Sequence, residues 1–283
     1  MAQSPVWFTG GSGNRLAADV SGPDDGPPVL LLHGGGQTRH SWSKAHQTLA
    51  QEGYRVISLD ARGHGESDWI EDGDYSNQSQ VDDLVAVINT LEAAPALVGA
   101  SMGGVNSLIA CAAYPALAST LILVDVTPRL ESEGIDNIIR FMTGNADGFT
   151  SPEHAADAIT AYNPNRARPS STRGLEKNLR LREDGRWYWH WDPLFMAGNH
   201  RQKVAAVSQR MVEAAGKIRI PTLLVRGQQS DVVSAKGAQE LQAIIPHLSF
   251  VDVEGAGHMV AGDKNDLFNA AIIEFLQRHH PAH

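Results

Sequence analysis

The stretch Leu97-Val98-Gly99-Ala100-Ser101-Met102-Gly103-Gly104 decides the fold. An apolar run that fits a strand ends at Ala100, and a run that fits a helix starts after Gly103. Glycine two residues before and two after a serine relieves crowding where a strand turns sharply into a helix. The spacing therefore predicts a strained turn that exposes the Ser101 hydroxyl, with the first main-chain N–H groups of the helix beside it.

Short apolar runs on either side of this stretch alternate with segments of helical periodicity. They cover residues 29–32, 55–59, 96–100, 121–126, 220–225 and 248–253. Unbroken apolar runs of this length are typical of strands that are covered on both faces. The alternation predicts an α/β fold with a mostly parallel central sheet flanked by helices, in which ligands bind beyond the carboxyl ends of the strands.

Polar residues that follow these strands form a candidate catalytic set. A serine hydroxyl is a weak nucleophile at neutral pH and needs a base, and His258 follows the last apolar run. A carboxylate must orient the imidazole, and we expect Asp231 to do so because it follows the strand before that of His258. Asp125 also ends a strand and is the competing acid.

The run His33-Gly34-Gly35-Gly36 follows the apolar run 29–32 and predicts a loop that brings main-chain N–H groups close to a ligand. We expect the N–H groups of Gly35 and Met102 to form an oxyanion hole. A structural role is expected for His33, and Asp60, Arg62 and His64 are expected to hold their own loop by hydrogen bonds.

The strand rhythm stops between residues 128 and 216, where we predict a helical cap (lid) inserted into the core domain formed by 1–127 and 217–283. Three of the six tryptophans, Trp187, Trp189 and Trp191, lie within a few residues of one another in this insertion. An aromatic cluster can form a small core or line a substrate pocket, and both interpretations stay open. These tryptophans are the candidate substrate-binding residues.

Composition excludes several classes of function. The net charge is −9 and the basic residues form no dense block, so we expect neither nucleic-acid binding nor membrane binding. A single cysteine excludes an internal disulfide framework, and no metal site or cofactor is expected. The expectation is a cytoplasmic enzyme, monomeric or homodimeric, with a small-molecule substrate.

Taken together, the His33–Gly36 run, the Ser101 motif, Asp231 after a buried strand and Gly257-His258 near the C-terminus resemble the α/β-hydrolase superfamily. The loop from Asp60 to Ser67 is similar to the loop that this family places after its fourth strand. The resemblance extends over nearly the whole chain. It implies the α/β-hydrolase fold, a serine–histidine–acid triad and a helical cap over the site.

The nucleophile narrows the activity that the resemblance implies. Epoxide hydrolases and haloalkane dehalogenases of this family use an aspartate where this chain has Ser101, so those activities are not expected. We expect a serine hydrolase that cleaves a carboxylic ester or lactone of a small, mainly apolar substrate. Carbon–carbon hydrolysis of aromatic ring-cleavage products and cofactor-free perhydrolase or haloperoxidase activity are the alternatives. A small-molecule receptor on the same fold is the non-enzymatic alternative.

Overall fold

A computed structural model describes residues 4–163, 171–172, 174–258 and 265–282. Its strands are β1 Val6–Thr9, β2 Arg15–Ser21, β3 Pro28–Leu32, β4 Arg55–Leu59, β5 Ala96–Ala100, β6 Thr120–Val124, β7 Leu179–Leu181, β8 Trp187–Trp189, β9 Thr222–Gly227 and β10 Ser249–Val253. The helices are α1 Ser43–Gln51, α2 Asn77–Ile88, α3 Met102–Ala113, α4 Ser132–Thr143, α5 Pro152–Tyr162, α6 His200–Ala215, α7 Ala235–Ile244 and α8 Asn265–His279. Short 3-10 helices cover Arg39–Trp42, Glu176–Asn178 and Pro193–Met196.

Eight strands form one sheet in the order β1-β2-β4-β3-β5-β6-β9-β10. The pairs β1–β2 and β2–β4 are antiparallel, and every pair from β4 to β10 is parallel. The carboxyl ends of the parallel strands therefore share one edge. This confirms the α/β fold with a mostly parallel sheet that the apolar runs predict.

Apolar side chains cover both faces of the sheet, because successive residues of a strand point to opposite faces. One face packs against α2, α3, α6 and α7, and Leu30 and Leu97 lie in that cluster. The other face packs against α1 and α8, and Leu31 and Val98 lie there. Two separate apolar layers hold the strand ends rigidly and so fix the positions of the residues that follow them.

A third apolar cluster forms the core of the cap. Its buried members come from α4, α5, the segment between them, the β7–β8 hairpin and the segment after it, and are Met142, Phe149, Ala155, Leu179, Trp189 and Trp191. The insertion thus contains a two-stranded antiparallel hairpin as well as helices.

The helix α6 lies within the predicted cap range 128–216 but packs elsewhere. Met211, Ala214 and Ala215 are buried in the cluster on one face of the sheet, together with residues of α3. The loss of strand rhythm in the sequence marks where an insertion begins, but it does not show which surface a helix covers. Packing thus places α6 with the core, although the exact domain boundary stays a prediction.

Within the described residues, no helix combines the length and the apolar character that crossing a membrane requires.

Candidate active site

Ser101 occupies the turn between β5 and α3 with φ 45° and ψ −114°. A non-glycine residue rarely adopts positive φ, and such strain is typical of functional sites. The turn depends on small neighbours: a Cβ added to Gly103 would lie 2.3 Å from the carbonyl oxygen of Leu32. The structure therefore contains the sharp strand-to-helix turn that the Gly-x-Ser-x-Gly spacing predicts.

A buried carboxylate lies one strand away from Ser101. The strands β5 and β6 pair with Ala100 opposite Val124, and the N–H of Ser101 donates to the carbonyl of Val124 at 3.2 Å. Asp125, the next residue after Val124, is therefore beside Ser101 at the sheet edge. Asp125 is fully buried and also has a positive φ, 48°.

Three donors surround the Asp125 carboxylate. Its Oδ1 accepts a hydrogen bond from the N–H of Gly227 at 3.0 Å, and its Oδ2 accepts one from Ser230 Oγ at 2.6 Å. His258 Nδ1 lies 2.6 Å from the same Oδ2. The carboxylate thus orients the His258 imidazole, with Nδ1 turned toward Asp125 and Nε2 on the opposite side of the ring.

The structure corrects the choice of acid made from the sequence. The carboxylate bonded to His258 Nδ1 belongs to Asp125, whereas Asp231 is exposed and accepts a bond from Asn137 Nδ2 at 3.4 Å. The physical reason is the strand order. Because β6 is the direct neighbour of β5, the residue that follows β6 lies beside Ser101. Asp231 comes four residues after the end of β9, beyond Ser230, the residue that reaches back to Asp125.

The loop that holds His258 packs closely over the end of β9. A Cβ added to Gly227 would lie 2.1 Å from the carbonyl oxygen of Gly257. Only glycine allows this approach, because a contact shorter than about 3 Å would push the loop away. Gly227 therefore lets His258 reach the Asp125 carboxylate.

The glycine loop after β3 lies against Ser101. A Cβ added to Gly34 would be 3.4 Å from Cβ of Ser101. Across the described part of the chain, neither the N–H of Gly35 nor that of Met102 donates to another protein group. Met102 is the first residue of α3, so its N–H lies at the positive end of the helix. Both N–H groups are therefore available to a bound oxyanion, and their role in an oxyanion hole stays a prediction.

His33 and His64 are buried and bonded to the main chain. His33 Nδ1 lies 2.8 Å from the carbonyl oxygen of Gly34, and its Nε2 accepts from the N–H of Ala61 at 3.0 Å. Burial lowers the pKa of His33 to about 4 and that of His64 to about 3, so both rings are neutral near pH 7. The structural role expected for His33 agrees with these contacts.

The loop after β4 is held by buried ion pairs. The Arg62 guanidinium donates to both carboxylate oxygens of Asp83, through Nε at 2.6 Å and Nη2 at 2.7 Å. Asp60 accepts from the Arg39 guanidinium and from the N–H of Arg39 at 2.6 Å. These bonds agree with the expectation that Asp60, Arg62 and His64 hold the loop rather than react.

A profile of the family described as "alpha/beta hydrolase fold" matches residues 27–264. The chain belongs to the α/β-hydrolase family.

Three comparisons show proteins that resemble this α/β hydrolase over most of their length. Esterase Rv0045c of Mycobacterium tuberculosis is 32% identical over 259 residues, which cover 89% of this chain and 82% of the relative. The crystal structure of E-2-(acetamidomethylene)succinate hydrolase superposes with a TM-score of 0.85 at 27% identity, covering 96% of this chain and 98% of that chain. The 2-(acetamidomethylene)succinate hydrolase of Mesorhizobium japonicum is 28% identical over 263 residues, which cover 93% of this chain and 92% of that relative. This α/β hydrolase is therefore similar both to an esterase and to a hydrolase of a succinate derivative, and the resemblance alone does not fix its own substrate.

The cap tryptophans of this α/β hydrolase differ in their placement. Trp189 is 8% exposed and lies in the cap core, and Trp187 packs against that core from the edge of the β7–β8 hairpin. Trp191 reaches the glycine loop, since a Cβ added to Gly36 would lie 3.4 Å from its Cζ3. Trp191 is therefore the member of the predicted trio that packs against the glycine loop, and substrate contact by all three stays a prediction.

Other residues of the site were not singled out from the sequence. A Cβ added to Gly35 would lie 3.5 Å from Phe195 Cζ, and one added to Gly36 would lie 3.0 Å from Met142 Cε. Ser230 binds Asp125, and His190 of the cap binds the glycine loop. Asp125 itself was the competing acid of the sequence analysis, because it is a polar residue at the end of an apolar strand. The others depend on how the cap and the loops fold over the sheet.

Proposed function

We propose that this α/β hydrolase is a serine carboxylic ester hydrolase, acting on esters or lactones with small, uncharged, mainly apolar acyl groups. The observation that supports it most is the 2.6 Å contact between His258 Nδ1 and Asp125, whose strand lies directly beside that of the strained Ser101. A histidine oriented by a buried carboxylate next to a serine on a sharp turn is the arrangement that serine hydrolases use.

In the proposed reaction, Ser101 Oγ attacks the carbonyl carbon of the ester while His258 Nε2 takes the serine proton. Asp125 holds the ring through Nδ1 and stabilises the imidazolium that forms. The N–H groups of Gly35 and Met102 stabilise the oxyanion. His258 then gives the proton to the leaving alcohol, and water, activated by the same imidazole, hydrolyses the acyl-enzyme and releases the acid.

The surroundings of the glycine loop favour an uncharged acyl group. Phe195, Trp191 and Met142 approach Gly35 and Gly36, and none of these side chains bears a charge. Apolar surfaces of this kind bind hydrocarbon by burying it from water. A dicarboxylate, such as the succinate derivative after which the related hydrolase is named, would find no charge partner in these three side chains.

The test compares Ser101→Ala with the wild type on 4-nitrophenyl butyrate. We expect kcat to fall by roughly 10⁴-fold or more, because the nucleophile is lost. A fluorophosphonate should label Ser101 in the wild type only. Undiminished turnover in the variant would refute the proposal, and a folded wild type that neither turns over esters nor is labelled would favour the receptor alternative.

The substrate class is tested on the same wild-type enzyme. We expect the neutral butyrate ester to have a higher kcat/KM than the hemisuccinate ester of the same phenol, since the latter would place a carboxylate against the apolar side chains. A lactone and a dienol dioate ring-cleavage product complete the panel. Cleavage of the dioate with no ester cleavage would replace the proposal by carbon–carbon hydrolysis.

A further inference from the structure

Histidines bind the peptide groups of the glycine loop one after another. His33 Nδ1 lies 2.8 Å from the carbonyl oxygen of Gly34, in the peptide group that also contains the N–H of Gly35. The next peptide group donates the N–H of Gly36 to His64 Nε2 at 3.1 Å. The carbonyl oxygen of Gly36, in the third, lies 3.3 Å from a ring nitrogen of His190.

The protonated nitrogen of His190 follows from its partners. Its Nδ1 accepts the N–H of Gly65 at 2.8 Å, and a main-chain N–H can only donate. The ring proton of the neutral imidazole must therefore be on Nε2, which donates it to the carbonyl of Gly36. Burial holds the pKa of His190 well below its usual value, so the ring stays neutral with one acceptor and one donor.

The loop needs such anchors because its own residues do not fix its conformation. Glycine adopts positive and negative φ with similar ease, and Gly36 has φ 75°. A peptide group is planar, so holding the Gly36 carbonyl also fixes the direction of the Gln37 N–H. That N–H donates to the carbonyl of Gly34 at 3.1 Å, and the Gly34 carbonyl shares its peptide group with the Gly35 N–H. A donor that is displaced by a fraction of an ångström stabilises an oxyanion less well.

His190 belongs to the cap, whereas the loop that it binds belongs to the core. It follows β8, is 1% exposed and packs edge-to-face on Trp191 with 5.4 Å between ring centroids. Two residues later, the N–H of Asp192 donates to the carbonyl of Gly63 at 2.8 Å. The contacts of His190 with Gly36 and Gly65 therefore form only when the cap is seated on the loop after β4.

We propose that His190 is a positioning residue of the cap, which aligns the Gly35 oxyanion donor by holding the Gly36 carbonyl and so couples cap seating to catalysis. This inference rests on the proposed ester hydrolysis. It predicts that loss of the His190 donor lowers kcat with little change in KM, because the bond supports the transition state rather than substrate binding.

Two substitutions separate the hydrogen bonds of His190. In His190→Asn, the amide oxygen can replace Nδ1 as acceptor for Gly65, but the side chain is too short to reach the Gly36 carbonyl. In His190→Gln, the amide N–H can replace the Nε2 donor. We expect kcat of the Asn variant to fall by at least roughly tenfold. Removal of a whole oxyanion donor lowers kcat by roughly 10²–10³-fold, and a misaligned donor should cause part of that loss. The Gln variant should keep most of the wild-type kcat.

Tyr75→Phe is the matched control, because it lies at the same contact between cap and core. The Tyr75 hydroxyl lies 2.5 Å from Asp192 Oδ2 and does not bind the glycine loop. We expect this variant to lower Tm while leaving kcat within about twofold of the wild type. A trifluoromethyl ketone with the acyl chain of the substrate forms an oxyanion on the serine, so its affinity should fall with kcat in the Asn variant only.

The outcomes separate this inference from the proposed function. Unchanged kcat and ketone affinity in a folded His190→Asn variant would overturn it, as would equal losses of kcat in His190→Asn and Tyr75→Phe. If the Asn variant does not fold, a tenfold loss in folded His190→Gln would overturn it, whereas near-normal kcat would support it. A wild type that hydrolyses no ester counts against the proposed function instead, and ketone affinity in the same variants then decides the role of His190.

Discussion

Asp125 and Asp231 lie at the same edge of the sheet, yet their surroundings differ sharply. Asp125 is fully buried and receives hydrogen bonds from Gly227, Ser230 and His258. Asp231 is exposed, and the bond it accepts from Asn137 is 3.4 Å long. The comparison shows that the donors around a carboxylate, and not its place in the chain, decide which acid can orient the histidine.

Burial strengthens the contact between the Asp125 carboxylate and His258. A carboxylate surrounded by donors in a dry site keeps a fixed direction, and its attraction to an imidazolium is less screened than at the surface. The positive φ of Asp125 is tolerated because aspartate visits the left-handed region more readily than most residues do. An exposed carboxylate such as that of Asp231 would interact with a cation through water and contribute less.

The largest effect should come from Asp125→Asn. The amide keeps the shape of the side chain but would favour the wrong tautomer of His258, so we expect kcat on 4-nitrophenyl butyrate to fall by roughly 10⁴-fold. The Tm of the variant, measured in parallel, shows whether the fold is intact. Near-normal turnover in a folded Asn variant would contradict the role of Asp125.

A smaller loss is expected from Gly227→Ala. The new methyl group would collide with the carbonyl of Gly257 and displace the loop of His258. A shift of about 1 Å in a catalytic group can cost roughly 10²-fold in rate, and we expect kcat to fall by about that factor. Gly216→Ala is the control, since a Cβ there finds only ordinary contacts at 3.8 Å. Equal activity of the two variants would show that the close packing over β9 is dispensable.

Ser230→Ala should have a moderate effect. The substitution removes the hydroxyl that donates to Asp125 Oδ2 at 2.6 Å and accepts from the N–H groups of Val232 and Val233. We expect kcat to fall by roughly tenfold and the free energy of unfolding to fall by about 1 kcal/mol, the usual contribution of such a hydrogen bond. Kinetics and urea unfolding measure the two effects. A loss as large as that of Asp125→Asn would mean that Ser230 acts in the reaction directly.

Asp231→Asn should have the smallest effect. The side chain is exposed, and asparagine can keep the contact with Asn137. We expect kcat and kcat/KM for the butyrate ester to stay within about twofold of the wild type, as is typical for surface substitutions. A loss of several orders of magnitude would restore Asp231 as the acid.

Much of the fold could be predicted from the sequence because its signals are local. Apolar runs separated by helical periodicity predict the parallel sheet, and the spacing around Ser101 predicts the strained turn from strand to helix. The main-chain contacts expected for His33 are likewise present. The sequence signal for each of these features lies in a short stretch of the chain, although the bond from Ala61 to His33 joins residues 28 positions apart.

The other features of the fold and of the candidate site depend on contacts between segments that are distant in the chain. Asp125 orients His258 because β6 lies beside β5 and because Gly227 and Ser230 supply donors from 102 and 105 residues away. The packing of α6 on α3 and the reach of His190 from the cap to Gly36 are also long-range. Strand rhythm cannot reveal which of two acids at the same sheet edge receives such donors.

The most direct test of the comparison is the rate at which a fluorophosphonate labels Ser101 in Asp125→Asn and Asp231→Asn, measured side by side under identical conditions. Labelling reports the nucleophilicity that an oriented histidine gives the serine, whatever the natural substrate. The account predicts a rate lowered by several orders of magnitude in Asp125→Asn and a nearly wild-type rate in Asp231→Asn. The reverse order would contradict it.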